Sequence, residues 1–254
     1  MNIYVLLKST FHTEEKIVIE NGKIKDNEAE FIINPYDEYA VEEAILQRDA
    51  HGGKVVVVSV GGEDAEKQLR TALAMGADEA VLIEDEDVEN GDASTTSRIL
   101  AAYLKDKEPD LILAGNMAID GGSGQVGPLV AELLGMNAVT TITELSIEGG
   151  KASITRDVEG NSEIIEIPLP VLVTCQQGLN EPRYPSLPGI MKAKKKSLET
   201  LDLDDLDLED LEGLTETKEI YLPKPKTSGV ILQGEPAQQV QELIQILRTD
   251  VKVI

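Results

Sequence analysis

Tryptophan is absent from this 254-residue chain and aromatic residues make up only 3% of it. A core has to be packed from Val, Ile, Leu and Ala instead. Cysteine occurs once. Cys175 has no partner for an internal disulfide, which fits a reducing compartment, and its place in the apolar run from Pro170 suits a small core residue better than a nucleophile. Positive charge is also scarce: 23 Lys and Arg stand against 47 Asp and Glu, giving a formal charge of -24 and a pI near 4.4. Such a surface repels nucleic-acid phosphates and anionic lipid, so neither is an expected partner. No apolar run approaches the ~18 residues of a membrane span, and MNIYVLLKST at the N-terminus lacks the length and cleavage pattern of a signal peptide. A cytoplasmic location is the expectation. Catalytic signatures are missing too: there is no CxxC, HExxH, GxSxG or P-loop pattern, and His12 and His51 are isolated. No catalytic residue and no metal ligand is assigned, and a binding role without bond-making on a substrate is expected.

What is present is a regular alternation. An apolar fraction of 41% arranged in periodic segments argues for a folded chain, and the length permits one large domain or two small ones. Short apolar strands at Ile3–Leu7, Lys54–Val60, Ala80–Ile83, Leu111–Ala114 and Pro170–Thr174 alternate with helical patterns at Asp37–His51, Asp64–Met75, Thr95–Lys105 and Gly127–Leu134. Gly52-Gly53 and Gly76 stop two of these helices. KVVVVSV, apolar throughout, suits a strand buried on both faces. From Thr140 the period changes to two, with turns at Gly149-Gly150 and Gly160-Asn161, as in antiparallel hairpins. The expected fold is α/β: a three-layer, Rossmann-like parallel sheet with covering helices and a hairpin extension over residues 1–196, followed by an extended C-terminal arm over 197–254.

In that arm, ETLDLDDLDLEDLE (Glu199 to Glu212) reads as a solvated, low-complexity linker; its leucines alternatively lie along a partner. Pro223 and Pro225 stiffen the next stretch. Glu235 to Arg248 then forms an amphipathic helix, with Pro236 in its first turn and Val240, Leu243, Ile244 and Leu247 on one face. A lone apolar face needs a cover.

Two segments stand apart from this periodicity. Gly115, Gly121, Gly122, Gly124 and Gly127 follow a strand and precede a helix, which places unobstructed amides where they can surround a phosphate; glycines alone leave an ordinary turn as an equal reading. LNEPRYPSLPGIMKAKKK (Leu179 to Lys196) strings Pro182, Pro185 and Pro188 together and ends in the densest basic cluster of the chain. Proline removes amide donors, so a stiff exposed loop is expected there, without a regular helix or central strand. The lysines, on so acidic a body, suit an acidic protein partner or a phosphate-bearing cofactor.

LNEPRYPSLPGIMKAKKK resembles the signature of electron-transfer flavoprotein β subunits. GNMAIDGGSGQVG (Gly115 to Gly127), NPYDEYA (Asn34 to Ala40) and TALAMGAD (Thr71 to Asp78) are similar to further elements of the same family, so the likeness runs from Ile3 to the Lys cluster. It implies an adenine-nucleotide-binding fold, with AMP in this subunit cradled by Gly121, Ser123, Gly124, Gln125 and Val126. Gly115, Asn116, Asp120 and Gly122 belong to the same stretch. Leu6, Asn34, Pro35, Tyr36, Asp37 and Val60 would surround the adenosine. In some relatives an acidic residue or Asn stands where this chain has Gly121 or Gly124. Asp120 suits a structural role in the turn, and Tyr36 either approaches a flavin held by the partner or packs on Pro35.

The same resemblance implies a heterodimer in which an α subunit holds most of the FAD and the C-terminal tail packs on that subunit. It implies electron transfer from acyl-CoA and other flavin dehydrogenases to a quinone oxidoreductase, as in fatty acid β-oxidation. Partner recognition would fall to Arg183, Tyr184, Pro185, Ser186, Leu187, Pro188, Gly189, Ile190, Met191 and Lys192. Two alternatives stay open: an electron-bifurcating relative with a second FAD in place of AMP, and a stand-alone adenine-nucleotide sensor.

Overall fold

The computed structural model describes residues 1–25, 29–84, 91–206, 208, 211–225 and 228–254. Its centre is a nine-stranded sheet made of β1 (Asn2–Leu6), β6 (Lys54–Val60), β7 (Glu79–Ile83), β8 (Leu111–Gly115), β9 (Asn137–Glu148), β10 (Lys151–Val158), β11 (Asn161–Pro168), β12 (Val171–Cys175) and β13 (Leu198–Leu201). The order across the sheet is β11-β10-β9-β12-β8-β1-β6-β7-β13. Every pair from β9 to β13 along that order is parallel, and β10 and β11 extend β9 as antiparallel hairpins. Four short strands, β2 (Ser9–Phe11), β3 (Ile19–Glu20), β4 (Lys23–Ile24) and β5 (Phe31–Ile33), form two small antiparallel pairs beside it.

Because side chains alternate along a strand, each apolar strand feeds both faces. Ile3, Val5, Val55, Val57, Leu111 and Leu113 face α1 (Pro35–His51) and α2 (Asp64–Met75), where Ala40, Ala44, Ile45, Leu69 and Leu73 are fully buried. Tyr4, Leu6, Val56, Val58 and Ile112 face α3 (Ala93–Leu104) and α4 (Val126–Leu134), meeting Ile99, Leu104 and Val130. Cys175 is buried in the first of these layers, and its thiol is pushed well above the ordinary range by loss of water, the place expected of a core residue. Among the described residues no helix is long and apolar enough to cross a membrane.

Two stretches depart from the expectations. The run expected to be loop between the prolines and the lysines contains α5 (Leu187–Ala193), capped by the Ser186 hydroxyl, which accepts the Gly189 N–H at 3.1 Å. Pro188 sits in the first turn, where no intrahelical carbonyl awaits its missing N–H, so the proline starts the helix and does not break it. The acidic segment departs further from a solvated linker. Leu198–Leu201 pairs with β7 as the edge strand β13, with Leu198 packed on one face of the sheet and Leu201 on the other. Leu203 is buried, and Leu206, Leu208 and Leu211 pack against the α3 side of the core, while Glu199 stays exposed. Asp207, Glu209 and Asp210 of that segment lie outside the described residues. The mixture of leucine and acid thus belongs to a partly exposed edge strand and the turn after it, whose leucines pack on the core while the described acids stay in water.

Beyond it, α6 (Pro236–Ile246) and a π-helical turn (Leu247–Val251) complete the arm, with no residue of either buried. Leu203→Ala is expected to lower stability by about 2 kcal/mol, read as a lower urea midpoint; an unchanged midpoint would return residues 199–206 to the status of a solvated linker.

Candidate functional site

β1 leads over the α1 face and β8 over the α4 face, so the chain diverges to opposite sides of the sheet between two neighbouring strands. At such a switch point the carboxyl ends of the strands leave a crevice. Here it is a cleft of about 240 Å³. Leu6 at the end of β1 with Leu7 and Lys8 just after it, Val58 and Val60 from β6, Ala114 and Gly115 from β8, the loop leading into α4 and residues of α3 line it.

Asp37, in the first turn of α1, ties the diverging strands together. Its Oδ2 accepts the Lys8 N–H at 2.7 Å and its Oδ1 accepts the Gly115 N–H at 3.0 Å and the Asn34 side-chain amide at 2.9 Å. Asn34 reaches on: its Nδ2 donates to the Met117 carbonyl at 2.9 Å, and its Oδ1 accepts the Ile119 N–H at 3.1 Å. Gly115 has to be glycine, since a Cβ there would lie 2.2 Å from the Asp37 carboxylate. Burial pushes the Asp37 carboxyl up to about 7, while the donors from Asn34, Lys8 and Gly115 pull the other way.

The glycine loop carries its own bracing. Asp120 accepts the Gly121 N–H at 2.7 Å and pairs with the Lys8 ammonium at 2.7 Å, the structural role expected of it. Gly122 donates to the Ala118 carbonyl at 2.8 Å. Gly122 and Gly124 hold φ of 65° and 61°, which side chains disfavour. Ser123, Gly124 and Gln125 then lead directly into α4, whose first-turn N–H groups have no carbonyl one turn before them. Gly127 lets α4 approach the sheet, because a Cβ would stand 2.9 Å from the Thr174 methyl.

The cleft thus gathers Leu6, Asn34, Asp37, Val60, Gly115, Asn116, Gly121, Gly122, Ser123, Gly124, Gln125 and Val126 from the expected set. Pro35, Tyr36 and Asp120 are not in its lining. Tyr36 instead borders a second, open depression with Thr141, Thr143, Asp157, Gln176 and Gln177, since one residue along a helix turns the side chain by ~100°. Lys8 and Asp92 are lining residues that the sequence reading passed over. Asp92 N-caps α3 by accepting the Thr95 N–H at 2.9 Å, and its other oxygen accepts the N–H groups of Leu214 and Thr215 at 2.7 and 2.9 Å. These bonds, led by that from Thr95, hold its carboxyl down to about 2 and moor the root of the C-terminal arm at the rim of the cleft. The Asp-x-x-Thr spacing before a helix was the available signal.

In the proline-rich segment Tyr184, Leu187 and Met191 are 93%, 80% and 73% exposed, and Ile190 is 43% exposed. Arg183 is engaged with Glu42 of α1 through Nε at 2.7 Å and Nη2 at 2.8 Å.

A carboxyl whose folded-state pKa is raised holds its proton longer in the native state, so its contribution to stability is complete below the unfolded value of 3.8 and is lost as pH rises to about 7. The stability difference between the wild type and Asp37→Asn, from urea unfolding, is therefore expected to shift against the wild type across that window. A shift in its favour would show that the three donors hold the carboxylate charged.

The family described as "Electron transfer flavoprotein domain" matches residues 21–206. The chain is 62% identical over 257 residues to the electron transfer flavoprotein subunit beta of Bacillus subtilis (strain 168), covering 100% of both chains. It is 40% identical over 254 residues to the subunit of the same description from Syntrophomonas wolfei, covering 100% of this chain and 98% of that one. With the caffeyl-CoA reductase-Etf complex subunit CarD of Acetobacterium woodii it shares 38% identity over 248 residues, covering 94% of this chain and 95% of the relative. On full-length likeness of this degree, the chain belongs to the electron-transfer flavoprotein β subunits.

Proposed function

We propose that this β subunit binds AMP in the cleft between β1 and β8. Joined to an α subunit that holds most of the FAD, it serves in the cytoplasm to take electrons from acyl-CoA and other flavin dehydrogenases and hand them to a quinone oxidoreductase. The observation that carries the nucleotide assignment is the loop from Gly121 to Gly127. It turns twice through left-handed glycines and delivers its amides to the N-terminus of one helix, at a strand switch point, with Lys8 beside it. That fits one phosphate. Leu6, Leu7, Val58 and Val60 offer the apolar wall that an adenine ring requires.

A second reading, in which a second FAD replaces AMP and the dimer bifurcates electrons, draws its support from the likeness to a caffeyl-CoA reductase-Etf complex subunit. A dinucleotide needs contacts for a second phosphate, and the glycine-rich crown described here is a single one. The flavin supplies the redox chemistry when bound; the residues of this chain hold the nucleotide, complete the dimer and present a docking surface. In the arm, the Val240, Leu243 and Ile244 stripe of α6 is exposed, and its proposed cover is the α subunit. Docking to the dehydrogenase is assigned to Tyr184 through Lys192, with Leu187 as the anchor.

Gln125→Ala is expected to weaken AMP binding by roughly 1 to 2 kcal/mol, the contribution of one hydrogen bond to a charged group, in calorimetric titration of the nucleotide-stripped heterodimer. Unaltered affinity would remove the Gln125 side chain from the site. Leu187→Ala should slow reduction by an acyl-CoA dehydrogenase about tenfold, on the order of 1.4 kcal/mol, with FAD content, AMP content and thermal stability nearly unchanged. Undisturbed electron transfer in a strongly destabilised variant would make Leu187 a packing residue.

A further inference from the structure

α5 is a single short helix with an apolar outer face, and a helix of seven residues does not hold its own shape in water. What keeps it still lies around it. On the approach, the Asn180 side-chain amide donates to the Tyr39 carbonyl at 3.1 Å and to the Glu43 carboxylate at 3.0 Å, both on α1. Arg183 follows with three hydrogen bonds to one carboxylate: Nη2 to Oε1 of Glu42 at 2.8 Å, and Nε and its backbone N–H to Oε2 at 2.7 and 3.1 Å. The Glu42 side chain is only 6% exposed, whereas that of Arg183 is 39% exposed. The carboxylate is therefore enclosed, and the guanidinium fork matches it bidentately.

Beyond α5 the fastening passes to α2. Arg70 donates to the carbonyls of Ala193 and Lys196 at 3.2 and 3.0 Å, and the Lys196 ammonium returns a bond to the Leu73 carbonyl at 3.0 Å. Between these two ends Gly189 lies against α2 so closely that a Cβ would stand 2.4 Å from the Ala74 carbonyl oxygen. The segment is thus gripped at its entry, middle and exit, and the outer face that carries Tyr184, Leu187, Ile190 and Met191 is exposed.

We propose that Glu42 is a positioning residue for docking: by gripping Arg183 it fixes the entry of the segment, so that the Leu187–Met191 face meets a flavin dehydrogenase in one conformation. Arg183 then acts inward, and the recognition of the partner rests on the apolar face. Ordering a loose loop on binding costs affinity, and a loop ordered beforehand avoids that cost. The three prolines and the α1 grip serve the same end. This inference rests on the docking role proposed above for the segment.

Glu42→Leu in the complete heterodimer is the test, since it removes the enclosed carboxylate and leaves Arg183 a path to water. Amide exchange over Arg183–Met191 should quicken, and KM for the heterodimer with an acyl-CoA dehydrogenase should rise, each by about tenfold, with kcat, FAD content and AMP content held. Glu42→Gln, which keeps an acceptor for Arg183, should show smaller changes of the same sign and serves if the leucine variant does not fold. Unchanged exchange, or quickened exchange with unchanged KM, overturns the assignment. If Leu187→Ala also leaves KM unchanged, the docking role itself fails and the positioning role with it, whereas the exchange result still reports whether Glu42 grips the segment.

Discussion

The Asp37 carboxylate is the constraint on which the rest of the structure depends. At the switch point β1 and β8 lie side by side but send the chain to opposite faces, which would leave their last amides facing a gap. Asp37 accepts both, from Lys8 and from Gly115, and takes a third bond from Asn34. Enclosing a carboxyl is costly unless its hydrogen bonds are made, and here they are supplied by the two strands the cleft divides. Gly115 is required by the closeness of that contact, and Asn34 extends the same network to Met117 and Ile119, setting where the glycine loop begins.

The helix that carries Asp37 has a second task farther along. Glu42 and Glu43 of α1 hold the approach to the exposed α5 segment, as Asn34 and Asp37 hold the cleft. One 17-residue helix packed on the sheet therefore supplies the rigid reference for two surfaces of different chemistry. The cleft is lined by a glycine-rich loop at a helix N-terminus. The α5 face exposes Leu187, Ile190 and Met191. The arm leaves from a third point, moored at Asp92 on the rim of the cleft, and carries an uncovered helix outward.

Much of this was legible in the sequence, for physical reasons that differ by element. KVVVVSV announces a strand buried on both faces, and Lys54–Val60 is that strand. Gly149-Gly150 turns the first hairpin where expected, whereas the second turns at Glu159-Gly160, one residue before the expected pair, with Asn161 already in β11. The glycine spacing after Ala114 located the cleft loop. What stayed hidden depends on contacts distant in the chain. Asp37 meets Lys8 and Gly115 at separations of 29 and 78 residues, and Arg183 meets Glu42 across 141, so neither pairing leaves a local pattern. Leu198–Leu201 was masked by the acids around it, because a partly exposed edge strand shares its composition with a solvated tether. Pro188 looked like a helix breaker, although a proline at the first turn begins a helix as readily as it ends one.

The proposed AMP assignment, and with it the kind of carrier proposed for this subunit, rests on one glycine crown at one helix N-terminus, a geometry that fits one phosphate. Acid extraction of the purified heterodimer, followed by chromatography of the released nucleotides, measures this directly. One AMP and one FAD per dimer is the predicted content, and two FAD with no AMP would contradict it.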